Sequence, residues 1–240
     1  MAEGPLRGKR VVVTRPREHA GGLVTALERL GADAWAVPLI SVAPLEDDGE
    51  LRRLVESDHD WIVFTSANAV RAVGSVAREL RARIAAVGPA TATAVRALGV
   101  EPAFVPDRFA AREIADGLEP LAGARVLLPQ SEIAERSFAD GLRARGATVD
   151  VVDAYRTVGL EPTAAELAGL ERADAILLAS GSAARALAAA ATPSERTLVV
   201  CIGPATAGAA RAAGLRVDLV AEDATGQGMI RTLVSHFGES

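Results

Sequence analysis

The sequence predicts an α/β protein built from two similar open sheets of parallel strands. Short apolar runs such as RVVVT (10–14) alternate with segments of helical period such as EHAGGLVTALERLG (18–31). Strand–helix–strand crossovers join parallel strands, so this alternation favours doubly wound sheets. The second half of the chain also repeats motifs of the first, and half of the residues are apolar, which is ample for a core.

Each element has a local signal. Strands are short runs of mainly apolar residues, and helices are segments of helical period, the first of which ends at Gly31. The predicted strands are 10–14, 33–37, 61–65, 84–88, 103–106, 125–129, 148–152, 175–179, 197–203 and 216–220. The predicted helices are 18–31, 47–56, 67–82, 90–98, 110–118, 133–145, 163–170, 182–191, 205–213 and 226–237. Two segments, PLISVAP (38–44) and DAYRTVGLEP (153–162), are predicted to be extended connectors.

An internal repeat divides the chain into two related halves. Gly88 and Gly203, in AVGPATATAVRALG and CIGPATAGAARAAG, lie 115 positions apart (203 − 88). KRVVVTRP (9–16) matches ARVLLPQS (124–131) at the same spacing, and DWIVFTSANAVRAV (60–73) matches DAILLASGSAARAL (174–187) at 114. Matches in one order and at nearly one spacing indicate two copies of about 115 residues.

The connectors permit two domain arrangements. If the chain leaves one domain at 38–44 and returns at 153–162, five predicted strands lie between the connectors and five lie outside them. A division at the midpoint also gives five strands to each domain. Strand counting therefore leaves a discontinuous and a sequential arrangement open.

Composition excludes several classes of function. The net charge of −5 provides no basic surface for nucleic acid or for a membrane, and no apolar run approaches the length of a membrane span. The start of the chain lacks a signal peptide's apolar centre, so we expect a cytoplasmic protein. The only cysteine, Cys201, excludes an intramolecular disulfide and is predicted to be a buried thiol. Three scattered histidines and the absence of GxSxG and HExxH predict neither a metal site nor a familiar nucleophile.

Four strand-to-helix turns are candidate anion sites, because free N–H groups at helix starts bind anions and this edge of an α/β sheet is the ligand edge. Helix capping by the serines is the alternative interpretation. The turns are TSANAV (65–70), VGPAT (87–91), ASGSA (179–183) and IGPAT (202–206). Their candidate ligand-binding residues are Ser66, Asn68, Gly88, Thr91, Ser180, Ser182, Gly203 and Thr206.

Residues elsewhere complete the predicted site. TRPRE (14–18) places Thr14 and Arg15 after the first strand, where a guanidinium suits a carboxylate, although arginines at helix starts are often just exposed. The turn after RVLLP adds Gln130 and Ser131. The only tyrosine, Tyr155, lies in the second connector. Its phenol favours a proton donor, and an amphipathic spacer is the alternative.

These motifs, in this order, resemble the uroporphyrinogen-III synthase family over nearly the whole chain. The segments that carry the resemblance are VVVTRP, VPLISV, DWIVFTSANAV, AVGPATATAVRALG, VVDAYRTV, DAILLASGSAARAL and CIGPATAGAARAAG. The resemblance implies two flavodoxin-like α/β domains joined by a two-stranded β-ladder, with the active site in the cleft between them. One domain then comprises 1–37 and 160–240, the inserted domain comprises 45–152, and 38–44 and 153–159 are the linker strands.

The resemblance also implies a reaction. A lyase of this family cyclises hydroxymethylbilane to uroporphyrinogen III, with inversion of ring D and loss of water, in tetrapyrrole and heme biosynthesis. It implies a monomer without cofactor or metal, in transient contact with the preceding pathway enzyme. Tyr155 matches the tyrosine proposed to assist loss of the hydroxyl, and Ser66, Thr91, Ser180 and Thr206 match cleft-facing turn residues. The turn QSEIAERS (130–137) departs from the family pattern. A non-catalytic two-domain module that binds an anion or a tetrapyrrole is the alternative function.

Overall fold

A computed structural model describes residues 4–76, 80–106, 114, 117–134 and 137–238. The strands are β1 (Arg10–Val13), β2 (Asp33–Ala36), β3 (Ile40–Ala43), β4 (Trp61–Phe64), β5 (Arg83–Ala86), β6 (Arg125–Ser131), β7 (Thr148–Gly159), β8 (Ala175–Leu178), β9 (Leu198–Cys201) and β10 (Leu219–Val220). The helices within the described residues are α1 (Arg17–Arg29), α2 (Gly49–Val55), α3 (Ala67–Val76), α4 (Pro89–Ala97), α5 (Ser137–Arg143), α6 (Ala164–Glu171), α7 (Gly181–Ala190), α8 (Pro204–Ala212) and α9 (Gly226–Gly238).

The chain forms two compact units, each built around one five-stranded sheet. Unit 1 comprises Met1–Ser41 and Val158–Ser240, and unit 2 comprises Val42–Thr157. The first sheet has the order β10-β9-β8-β1-β2 and the second has the order β3-β7-β6-β4-β5. Neighbouring strands pair in parallel throughout the first sheet and from β7 to β5 in the second. The predicted α/β class with two similar parallel sheets is confirmed.

The two predicted connectors become neighbouring strands. β3 lies at the edge of the second sheet beside β7. β7 is a single strand of 12 residues that runs through the predicted strand 148–152 and on into the second connector. Just beyond it, the N–H of Leu160 donates to the carbonyl of Leu39 at 2.9 Å. The ladder that the family resemblance implied is therefore present.

Alternating strand residues fill a core on each face of the first sheet. Val12, Ile176 and Cys201 belong to the apolar cluster on one face, whereas Val13 and Leu177 belong to the cluster on the other. Strands buried on both faces read as continuous apolar runs, which explains RVVV and AILL in the sequence. Cys201 is fully buried as predicted, and burial raises the pKa of its thiol to about 11.

The fifth strand of the second sheet differs from the expectation. The sequence predicted 103–106 as the fifth strand, but this segment makes one isolated bridge, between Ala85 and Phe104. Pro102 and Pro106 flank it and have no N–H to donate, so a full ladder does not form. β3 supplies the fifth strand instead. The predicted helix 110–118 lies mostly outside the described residues.

Two other strands end at different positions from those expected. β10 is reduced to Leu219–Val220, because the Asp218 carboxylate accepts the Val199 N–H at 2.8 Å and Arg216 donates to the Thr197 carbonyl at the same distance. Over 216–218 these side-chain bonds supplement a single backbone bond, from the Asp218 N–H to the Val199 carbonyl at 3.0 Å. β6 extends to Ser131, so Gln130 and Ser131 lie on a strand and not in the turn where the sequence placed them.

Candidate functional site

The predicted turns follow neighbouring strands within each unit. In unit 1, β1 and β8 pair through Val13 and Leu177, and β8 and β9 pair through Leu178 and Cys201. The chain therefore leaves these three strands at one edge of the sheet. In unit 2, β4 and β5 end opposite each other, at Phe64 and Ala86. Each sheet thus presents its turns at its carboxyl-terminal edge, which is the usual ligand edge of such sheets.

Tyr155 and Ser66 form the one side-chain hydrogen bond between predicted site residues that joins different elements in the described part of unit 2. The oxygens of their hydroxyl groups lie 3.1 Å apart, and either can be the donor. Ser66 precedes α3, and its Oγ also accepts the N–H of Ala69 at 3.1 Å. Ser66 therefore caps the helix, as the alternative interpretation held, and in addition holds the phenol.

The phenol lies in a mainly apolar environment. Tyr155 packs against the buried cluster that contains Phe64 and Val70. Burial raises the pKa of Tyr155, and the hydrogen bond with Ser66 offsets part of this effect. A raised pKa keeps the phenol protonated near neutral pH, so the group is a proton donor there and not a base.

A second hydroxyl pair lies beside the first. An irregularity between Gln130 and Ser131 shifts the register of β6 on β7, so that Ser131 pairs with Tyr155. The Ser131 and Thr157 hydroxyl oxygens lie 3.0 Å apart. Tyr155 and Thr157 are two positions apart on β7 and so share a face of the strand. Gln130 is buried, with 6% of its surface exposed, and no hydrogen bond to its side chain is seen within the described part of the chain.

The other predicted residues of unit 2 do not hydrogen-bond to Tyr155 in the described ranges. Asn68 accepts a hydrogen bond from Arg71 at 2.8 Å, so its amide oxygen is partly engaged. Thr91 is buried within α4. Gly88 caps α4 with φ of +94°, a conformation that strongly favours glycine, and Pro89 begins the helix. The tight turn at Gly88 thus has a backbone reason of its own.

The equivalent turns of unit 1 are simpler. Ser180 caps α7 by accepting the Ala183 N–H at 3.1 Å, and Ser182 lies inside that helix. Gly203 is extended, with φ of −179°, so its backbone does not require glycine. Thr206 is buried in α8. Capping, the alternative interpretation, thus accounts for Ser180, and ligand binding by all four residues stays a prediction.

Thr14 and Arg15 differ from each other. Thr14 is completely buried and its hydroxyl donates to the Leu177 carbonyl at 2.8 Å, which favours a structural role. Arg15 is half-buried, and burial lowers the pKa of its guanidinium. Within the described residues Arg15 has neither an ion pair nor a hydrogen bond from its side chain. It is therefore the member of the predicted set with a charge and no partner among those residues.

Neither a metal cluster nor a membrane-spanning helix occurs in the same described residues. No group of three or more His, Cys, Asp or Glu side chains there is arranged to hold a metal ion. In those ranges, too, every helix is too short or too polar to cross a bilayer.

Comparison with known proteins identifies the family. The family model described as "Uroporphyrinogen-III synthase HemD" matches residues 22–231. The chain belongs to the uroporphyrinogen-III synthase family. This membership confirms the resemblance found in the sequence motifs.

Relatives of this uroporphyrinogen-III synthase family member differ in length. "Porphyrin biosynthesis protein HemD" of Ruminiclostridium josui is 31% identical over 247 aligned positions, which cover 96% of this chain and 49% of that protein. "Uroporphyrinogen-III synthase" of Synechococcus elongatus is 31% identical, over 65% of this chain and 64% of that protein. The chain thus spans about half to two thirds of the length of these curated relatives.

A solved structure supports the fold. A mutant uroporphyrinogen III synthase from Thermus thermophilus has a TM-score of 0.66 with this chain at 18% identity, covering 97% of this chain and all of that one. At this identity the likeness concerns the fold alone.

Sequence reasoning missed two residues of the candidate site. Thr157 pairs with Ser131, and the period of two along a strand from Tyr155 could have indicated it. Gly226 begins α9 beside Arg15, and a methyl group built on it would lie 3.8 Å from Nη2 of Arg15. No sequence motif marks Gly226, because its relation to Arg15 depends on how α9 packs.

Proposed function

We propose that this chain is a cyclising lyase that converts hydroxymethylbilane into uroporphyrinogen III, with inversion of ring D and loss of water. Membership of the uroporphyrinogen-III synthase family supports the reaction class. The local observation that carries the proposal is the contact between Tyr155 and Ser66, because it places a protonated phenol beside a hydroxyl at the ligand edge of unit 2.

In the proposed direction of this hydrogen bond, Ser66 donates to Tyr155. The Ser66 oxygen accepts the Ala69 N–H, and the Ser66 hydroxyl hydrogen can point at the Tyr155 oxygen. In that orientation the phenol proton remains available for the substrate. Ser66 would then also stabilise the tyrosinate that forms when the proton leaves.

In the proposed first step Tyr155 protonates the terminal hydroxyl of hydroxymethylbilane. The carbon–oxygen bond breaks, water leaves, and the pyrrole nitrogen's electron pair stabilises the cationic azafulvene. The substituted α-carbon of ring D attacks the azafulvene carbon and forms the proposed spiro intermediate. The bond from that α-carbon to the methylene of ring C then breaks, and the other α-carbon of ring D bonds to the same methylene, which leaves ring D inverted. Loss of a ring proton at closure restores the aromatic pyrrole, and the phenol regains a proton. One molecule of water is released in total.

The remaining work is positioning. The azafulvene closes spontaneously to the symmetric isomer, so the enzyme must hold the chain for inversion before that happens. Holding reactants in a reactive geometry contributes large rate factors without a strong acid or nucleophile. The turns that contain Ser66, Gly88, Ser180 and Gly203 offer backbone N–H groups at helix starts to the substrate's carboxylates.

The proposal keeps the sequence-based domain bounds, with an inserted domain of 45–152 and a discontinuous one of 1–37 and 160–240. It also includes ligand binding by the predicted turn residues. Action without cofactor, a monomeric state, a cytoplasmic location and transient contact with the preceding pathway enzyme stay predictions.

The decisive experiment identifies the product isomer. Hydroxymethylbilane is generated enzymically in the presence of the purified protein, and the oxidised porphyrins are separated by chromatography. We expect isomer III in excess of the enzyme-free reaction. Formation of isomer I alone refutes the proposal, and tight binding of a tetrapyrrole without turnover favours the alternative of a binding module.

A further inference from the structure

The internal repeat makes residues of the two units comparable one by one. Ser180 of unit 1 corresponds to Ser66 of unit 2 at a spacing of 114 (180 − 66), within the matched segments 174–187 and 60–73. Arg15 corresponds to Gln130 at a spacing of 115 (130 − 15), within KRVVVTRP and ARVLLPQS. The structure supports this mapping, because Asp174 accepts the Arg10 N–H at 2.7 Å and Asp60 accepts the Arg125 N–H at 2.8 Å, at equivalent positions.

The equivalent positions carry different chemistry. In unit 2, Ser66 contacts the phenol of Tyr155. Near the end of β6, the residue equivalent to Arg15 is the neutral and buried Gln130. In unit 1, the only hydrogen bond to the Ser180 hydroxyl among the described residues comes from Ala183, and no second tyrosine exists in the sequence. The residue that corresponds to Gln130 is the cationic Arg15. The two copies have therefore diverged, one toward a proton donor and one toward a positive charge.

The surroundings of Arg15 suit an anion. The first turn of α9 contains no acidic residue, and Gly226 at its start faces the guanidinium. The ideal Cβ position at Gly226 lies 3.8 and 3.9 Å from the two terminal nitrogens of Arg15. Asp223, which precedes α9, is paired with Arg231. A half-buried guanidinium without a counter-charge is unfavourable in the empty protein, and a carboxylate ligand removes that cost with two parallel hydrogen bonds.

From these observations we infer that Arg15 of unit 1 binds a carboxylate of the substrate, through the guanidinium that stands where unit 2 has the neutral Gln130. This inference rests on the proposed function, since a polycarboxylate tetrapyrrole is the ligand it assigns to Arg15. Arg15 contributes to binding, and its loss therefore affects KM more than kcat.

Arg15→Gln tests the inference, because it places in unit 1 the side chain that unit 2 has at the equivalent position. Arg17→Gln is the matched control, since it removes the same charge two residues away. The Arg17 side chain is 79% exposed and lies 3.7 Å from the Glu166 carboxylate. Arg15→Lys keeps the charge without the planar fork of the guanidinium.

Two measurements are made on each variant of the full chain: initial rates of isomer III formation, and binding of uroporphyrin, an octacarboxylate probe, by equilibrium dialysis. We expect Arg15→Gln to raise KM and weaken uroporphyrin binding about 10- to 100-fold, as for a lost hydrogen bond between charged groups. We expect the kcat of Arg15→Gln to change less than about threefold. The KM and the uroporphyrin affinity of Arg15→Lys should lie between those of the wild type and of Arg15→Gln, and Arg17→Gln should match the wild type.

The outcomes separate this inference from the proposed function. A wild type that forms isomer III, with an Arg15→Gln variant that behaves like Arg17→Gln in both assays, overturns the inference and leaves the function standing. A wild type without turnover refutes the function, whereas Arg15-dependent uroporphyrin binding still supports the carboxylate site. If circular dichroism shows that Arg15→Gln does not fold, Arg15→Lys decides: weakened binding supports the inference, and unchanged binding and KM overturn it.

Discussion

Replacing Tyr155 by phenylalanine removes one oxygen atom and leaves the ring in place. The phenol makes one described side-chain hydrogen bond, to Ser66 at 3.1 Å, so the cost in stability is about 1 kcal/mol. In a chain of this length that corresponds to a Tm lower by about 2–4 °C. A positioned general acid contributes about 10²- to 10⁴-fold to a rate, so we expect isomer III formation to slow at least about 100-fold.

The assay combines rate, product and stability. Isomer III is quantified by chromatography during the first turnovers, and unfolding is followed by circular dichroism on the same preparation. As turnover slows, spontaneous closure competes and the fraction of isomer I rises. A Tyr155→Phe variant that keeps a wild-type rate within about threefold contradicts the assigned role of the phenol.

Ser66→Ala removes both functions of Ser66 at once. The substitution removes a helix cap worth about 1 kcal/mol and the donor to the phenol oxygen. We expect about a tenfold slower rate, and no further loss when Ser66→Ala is combined with Tyr155→Phe, since both act through one hydrogen bond. Ser75→Ala is the control in the same helix, because the Ser75 hydroxyl donates to the Ala72 carbonyl on the exposed side.

Three further predictions concern stability. Phe64→Ala, at a completely buried position, lowers the free energy of unfolding by about 3–5 kcal/mol in urea denaturation, and a loss under about 1 kcal/mol contradicts the assigned core. Thr163→Ala breaks the capping box with Glu166 and lowers the free energy of unfolding by about 1 kcal/mol. An unchanged urea midpoint contradicts the cap. A hydrogen bond from His59, and to a smaller extent one from Arg125, holds the pKa of Asp150 below its ordinary 3.8. The ionised carboxylate therefore stabilises the folded protein above pH 3.8, and this contribution is lost as pH falls through the pKa that Asp150 has in the folded state. Asp150→Asn therefore destabilises the protein near neutral pH but little near about pH 2, and an equal loss at both contradicts the pairing.

Much of the fold follows from local pattern. Runs such as RVVV and AILL are buried on both sheet faces and have the apolar continuity that such strands require. The repeat gives the equivalence of the two sheets directly. The family resemblance implied that the first connector is a linker strand, but the residues alone did not reveal that ISVA, within this connector, completes the second sheet. That pairing depends on where β7 runs, which is a tertiary contact without a local signal.

The candidate site was only partly predictable for the same reason. Ser66 and Tyr155 are 89 positions apart, and residue chemistry suggested each of them alone. Their contact requires the order β7-β6-β4 in the sheet. The sequence treated Thr14 and Arg15 alike, whereas the structure buries the hydroxyl of Thr14 against Leu177 and leaves the charge of Arg15 without a described partner. Burial and pairing, which separate the two, are properties of the packed fold.

The fraction of isomer III in the product, measured over a series of protein concentrations against an enzyme-free blank, tests the central proposal most directly. The account predicts that this fraction rises toward one as protein is added, because inversion of ring D outpaces spontaneous closure. A fraction that stays at the value of the blank at every concentration contradicts it.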